Sequence, residues 1–197
     1  MKKILIIIFF LCSVSHGSIS IIKIAKVDDQ IITNIDIINE IEIMKLIFKR
    51  QISLNENTIN IAKNNLIEEM LKKNEIKRKK IESNVKLIDE KYDNLLQNFK
   101  KEEIIISKYL QKLIYEKIKL EFDWNLLISK NYSWQVNVNM EEINKKIEKL
   151  QKNNASSKEI LKEKEKLISI EKNKKIQVYS QMYIDKLKEK SLIFFYK

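Results

Sequence analysis

In 197 residues the chain carries 38 Lys+Arg and 27 Asp+Glu, a formal net charge of +11, with one Cys, one His, one Gly and no Pro. A basic balance raises nucleic acid as a partner, but only Arg50 and Arg78 supply the bidentate, stacking cation that base recognition favours. The lysine excess reads instead as a solubilising coat with weak attraction to anionic surfaces, and no nucleic-acid partner is expected.

At the start, Lys2 and Lys3 precede an apolar run from Ile4 to Leu11, and Ser15 and Gly17 stand three and one before Ser18. This is the pattern of a cleaved secretory signal over residues 1–17. The run is well short of the roughly 20 residues a membrane span needs, and no later stretch replaces it. An exported chain without stable membrane insertion is expected; Leu11 is bulky where lipid attachment at Cys12 wants a small residue. Cleavage would remove Cys12, His16 and Gly17 together, leaving 36 basic and 27 acidic residues and a net charge of +9. What remains has no Cys-His or Ser-His-Asp nucleophile system, no zinc site of the usual ligands and no glycine-rich phosphate loop. Carboxylates scattered among lysines read as solvated helix faces, so neither catalysis nor a cofactor is expected.

The segment "IAKVDDQIITNIDI", residues 24–37, is two short apolar runs around a pair of acids, a hairpin pattern followed by a helix start at Thr33 and Asn34. Ile37, Ile41, Met44 and Phe48 then recur at helical spacing. "SLNE", Ser53 to Glu56, reads as a capping box opening a second helix with Ile59, Ala62, Leu66 and Met70 on one stripe, which runs into the basic end "KKNEIKRKK". A third helical pattern covers Val85 to Phe99.

From Ile104 to Ile128, 15 of 25 residues are apolar or aromatic. A one-faced helix would carry roughly 11, so the excess implies either burial on two sides or an exposed apolar surface. Asn139 with Glu142 three later opens a helix through Ile143, Ile147 and Leu150. "KNNASS", residues 152–157, is the linker-like stretch, and Lys158 to Lys190 form one long helix of about 50 Å. A final β-prone run, Leu192 to Tyr196, has one evident use. A two-stranded hairpin is marginal in water, and this is the strand that completes it once the long helix brings the C-terminus back.

These residues resemble SurA-type periplasmic chaperones. Val27, Ile32, Thr33, Asp36 and Ile37 fill places in the family's opening strand, turn and first helix, with Asp28 where Asn is usual. Trp124, Lys130, Tyr132 and the Glu141-Glu142-Ile143 helix start are similar to its middle, and Tyr183, Leu187, Lys188 and Ile193 to its last helix and strand. The family's parvulin-type prolyl isomerase domains have no counterpart in the length or residues here. The fold implied is mainly α: a multi-helix SurA-like chaperone core, one domain over residues 18–197, made of an N-terminal helical part (18–151), the linker and a C-terminal helix and strand (158–197). The resemblance implies a periplasmic, ATP-independent holdase that binds unfolded outer-membrane proteins or peptides in an apolar groove between helices. Tyr109, Tyr115 and Trp134 are the candidate client contacts. Two other readings stand beside it, an exported prolyl isomerase and a helical envelope scaffold built on the long helix. Neither client identity nor oligomeric state is legible.

Overall fold

A computed structural model describes residues 20–49, 51–135, 137–152 and 156–196, with the side chains of 149–152 left out. The expected signal and residues 153–155 of the expected linker lie outside the described residues. Two strands, β1 (Lys23–Val27) and β2 (Gln30–Thr33), lead into helices α1 (Asn34–Phe48), α2 (Glu56–Lys79), α3 (Val85–Lys101), α4 (Lys108–Asn131), α5 (Met140–Lys152) and α6 (Ser157–Lys190), and β3 (Ile193–Phe195) follows. The protein is thus mainly helical with a small antiparallel sheet.

The sheet has the order β2-β1-β3, so the first and last strands of the chain are neighbours. Val27 pairs with Gln30 across a two-residue turn, and Ala25 and Val27 pair with Phe195 and Ile193. Asp28 opens the turn at φ 50°, a left-handed conformation that a short polar side chain tolerates and a β-branched one resists. Asp28 then closes the clasp twice. Its N–H donates to the Leu192 carbonyl at 2.8 Å, and its Oδ1 accepts from the Leu192 N–H at 3.1 Å. One face of the sheet buries Ala25, Val27 and Ile32 against Ile37, Ile41 and Met44 of α1 and Ala62, Ile67 and Leu71 of α2.

Local chemistry sets the helix starts. Thr33 and Asp36 form a reciprocal capping box on α1. The expected box at Ser53 is replaced by a cap two residues later. Asn55 Oδ1 accepts from the Thr58 N–H at 2.9 Å, and the Ser53 hydroxyl accepts from the Asn55 amide. Asn needs no partner three residues on to satisfy an orphan N–H, so α2 starts at Glu56.

α4 is the central helix, packed on α1, α2, α3 and α6. This decides the alternative left by its composition. Ile114, Leu120, Trp124, Leu127 and Ile128 are buried on two sides, in a cluster shared with α3 and one shared with α6. Only Ile105, in the extended lead-in, and Tyr109 are largely exposed among the large apolar residues of that stretch.

The C-terminal half of α6 turns apolar residues inward, with Ile176, Tyr179, Tyr183 and Leu187 packed around Ile184 and Trp124, while Leu161, Ile170, Val178 and Met182 stay exposed. The joint carries polar ties. Trp124 Nε1 donates to Ser180 Oγ at 2.7 Å, and the Tyr183 hydroxyl donates at 2.5 Å to Glu75 of α2, which also pairs with Arg78 at 2.6 Å. Burial acts to raise the Glu75 carboxyl, but hydrogen bonds from Arg78 and Tyr183 and the charges of Arg78 and Lys79 outweigh it and hold the group below its ordinary value. Burial, reinforced by the bond to Glu75, pushes Tyr183 up to about 12. Ahead of this joint, α5 lies along α6 through Ile143 and Ile147.

Candidate binding groove

α1 ends one turn beyond the core, where Lys49 adopts a left-handed cap at φ 51°. That last turn carries Ile47 and Phe48 out to solvent, 47% and 59% exposed. They form the mouth of a groove of about 540 Å³ between α1, α2, α3 and α4. Met44, Leu95, Ile118 and Leu120 line its interior, and Glu68, Lys72, Lys91 and Glu121 stand around it. The volume falls within the roughly 300–1,000 Å³ usual for ligand sites. An apolar interior under a rim of both charge signs suits an apolar side chain on an otherwise polar segment.

The floor is an ion cluster. Lys117 of α4 reaches Glu40 of α1 at 2.6 Å and also pairs with Glu69 of α2, while Asn65 Nδ2 donates to the other Glu40 oxygen at 3.0 Å. Glu40 is only 4% exposed, so Lys117 supplies the counter-charge to a carboxylate that water does not reach, while Oε1 is hydrogen-bonded and Oε2 has no hydrogen bond of its own. Beyond the cluster lies a smaller cavity of about 160 Å³, which shares Glu40, Ile43, Glu69 and Lys117 as lining. One lysine therefore separates two openings.

The structure does not bring Tyr109, Tyr115 and Trp134 together. Tyr109 lines the smaller cavity, where its hydroxyl accepts from Asn39 Nδ2 at 3.3 Å. Tyr115 faces α3: its hydroxyl donates to Asp89 Oδ1 at 2.9 Å, a bond that raises its pKa, and its ring meets Tyr92 edge-on at 5.2 Å. Trp134 is 85% exposed in the turn after α4, more than 20 residues and so roughly 35 Å of helix rise from Tyr109. None of the three lines the larger groove. Ile47 and Phe48 do, and the helical period alone had placed Phe48 on the core stripe. The signal that marks it out is its position beside "KRQ", where the apolar pattern of α1 stops.

Among the described residues no cluster of His, Cys, Asp and Glu is placed to hold a metal ion, and no helix is long and apolar enough to cross a membrane. No protein-family model matches the chain, and no curated protein matches it. Fold and site together define a helical bundle, clasped by a terminal sheet, with an apolar surface groove.

Proposed function

We propose that the protein is an ATP-independent holdase for unfolded polypeptides, with exported outer-membrane proteins as its clients in the periplasm. The observation that carries this reading is the groove at Ile47 and Phe48: apolar inside, open, and walled by four helices. A client aromatic or aliphatic side chain seated there gains about 1.5 to 3 kcal/mol, enough for weak reversible capture repeated along an extended segment. The charged rim and the lysine coat keep the protein itself dispersed while the groove stays open. The order of SurA-like segments along the chain supports the same reading. The scaffold alternative has less support, because the C-terminal half of α6 turns Ile176, Tyr179, Tyr183, Ile184 and Leu187 toward Trp124, which leaves Leu161, Ile170, Val178 and Met182 as its exposed apolar residues.

The test is light scattering of an unfolded outer-membrane β-barrel protein diluted from denaturant, with and without the chain beginning at Ser18. Suppression of aggregation is expected, and Ile47→Ser with Phe48→Ser should weaken it at an unchanged melting temperature. Aggregation untouched by the unaltered chain would overturn the holdase reading.

A further inference from the structure

The sheet that clasps the two ends has a second face, and it is unusually apolar. Strand residues alternate between faces, so Ala25, Val27, Ile32 and Ile193 turn to the helices and their neighbours turn away. Across that outer face Ile31 of β2, Lys26 of β1 and Phe194 of β3 are directly paired and form one row. Leu192 and Tyr196 extend it on either side of Phe194, and Ile22 precedes β1. Leu192 is 71% and Phe194 66% exposed. An antiparallel sheet with one solvated face ordinarily carries polar residues there.

Cations flank this face. Lys26 lies in the middle of the row, Lys23 Nζ is 6.0 Å from the Tyr196 ring, and Lys63 of α2 stands on the helix side of the β3 edge, 5.2 Å from the Phe195 ring. Two acids stand in the β1–β2 turn: Asp28, held by the Leu192 N–H and the Asn74 amide, and Asp29, exposed at the tip. Aromatic and aliphatic side chains on a nearly flat surface, with lysines whose stems run past them, match the boundary of an anionic bilayer. Rings and Leu settle at headgroup level there, and ammonium groups reach the phosphates.

We infer that the outer face of the β2-β1-β3 sheet docks on anionic phospholipid membranes, independently of the groove and of the holdase reading. Docking is shallow, because the outward main-chain groups at the β3 edge need water or a polar headgroup. It leaves the groove between α1 and α4 open, since the two share no residue, while Ile31 also borders the smaller cavity.

The experiment is sedimentation of the chain beginning at Ser18, which contains every described element, with phosphatidylcholine vesicles that either lack or contain phosphatidylglycerol. The protein should pellet with the anionic vesicles and not with the neutral ones, and added salt should release it. Leu192→Ser with Phe194→Ser should lower partitioning by roughly tenfold or more, since both side chains leave water on docking. Lys26→Glu, which keeps the apolar row, should weaken anionic binding as well, so a loss of β3 in the first variant does not decide the outcome. Anionic binding untouched by either variant would reduce the effect to the general lysine coat and overturn the inference. Failure to bind any vesicle would overturn it too, as would protection of β3 by an extended aromatic peptide in place of lipid.

Discussion

Lys117 Nζ stands 2.6 Å from Glu40 Oε2 in the wall between the two openings, tying α4 to α1 at a carboxylate that is 4% exposed. Removing the lysine leaves that carboxylate without its cation. The loss of one partner costs about 3 to 5 kcal/mol in a fully buried pair, and less here because 20% of the Lys117 side chain is exposed. Lys117→Met should lower the melting temperature by about 5 °C or more. Adding Glu40→Gln to the same chain should recover much of that loss, because Gln is neutral and still accepts from Asn65. A single variant that melts like the unaltered protein would show the pair to be neutral for stability.

The clasp predicts the effect of a short truncation. Deleting Leu192–Lys197 removes β3, both Asp28–Leu192 hydrogen bonds and the cover of Ile193 on the first core cluster. The two strands that remain are marginal without a third. The melting temperature should fall by several degrees, and amide exchange should rise at Ala25 and Val27 before it rises in α4.

Stability should fall at both ends of the pH scale through one hydrogen bond. The Glu75 carboxyl is held below its ordinary value of 4.5, so its contribution is present above that pH and disappears as the pH drops through the lower folded value. Tyr183 is raised from 10 to about 12, so its contribution is complete below pH 10 and lost between 10 and 12. Tyr183→Phe takes one donor from Glu75. Melting temperature against pH should then decline from a higher pH on the acid side and lose the step between 10 and 12.

The aromatic residues singled out by sequence should respond differently from one another. Trp134→Ala should change neither melting nor client capture. Tyr115→Phe should cost on the order of 1 kcal/mol at most, as its bond to Asp89 lies at the surface between α3 and α4. Tyr109→Ala should leave capture intact if the larger groove alone holds clients, and its loss in this variant would transfer the site to the smaller cavity.

Proline-limited refolding of a test substrate should proceed at its uncatalysed rate, over tens of seconds, in the presence of the chain beginning at Ser18. Saturable acceleration would favour the isomerase reading.

The fold was largely legible because its signals are local or paired by necessity. Ile37, Ile41 and Met44 mark α1 by period, Thr33 marks its start, and the hairpin's need for a third strand points to Leu192–Tyr196. What composition left open in the segment 104–128 required partners to decide: burial of Trp124 depends on α6, whose Ser180 lies 56 positions away. The site was less legible still. Tyr109 and Tyr115 are close in sequence, yet six residues are about 1.7 helical turns, which sends one ring to α1 and the other to α3. The groove at Ile47 and Phe48 arises where α1 outruns its core, and no property of those two residues by themselves distinguishes a mouth from an interior.

The hydrogen bond between Leu192 and Asp28 spans 164 positions. A ribosome delivers Asp28 first. The leading hairpin then waits for nearly the whole chain before its third strand arrives. Each doubling of a loop adds only about 0.6 kcal/mol of closure entropy, so the wait costs little at equilibrium and is a matter of timing. Until the last residues emerge, the outer edge of β1 has no strand partner, while Ala25, Val27 and Ile32 already have α1 and α2 to pack on. The fold is in this way a signal of completeness: a chain broken off anywhere before Leu192 cannot close its own beginning.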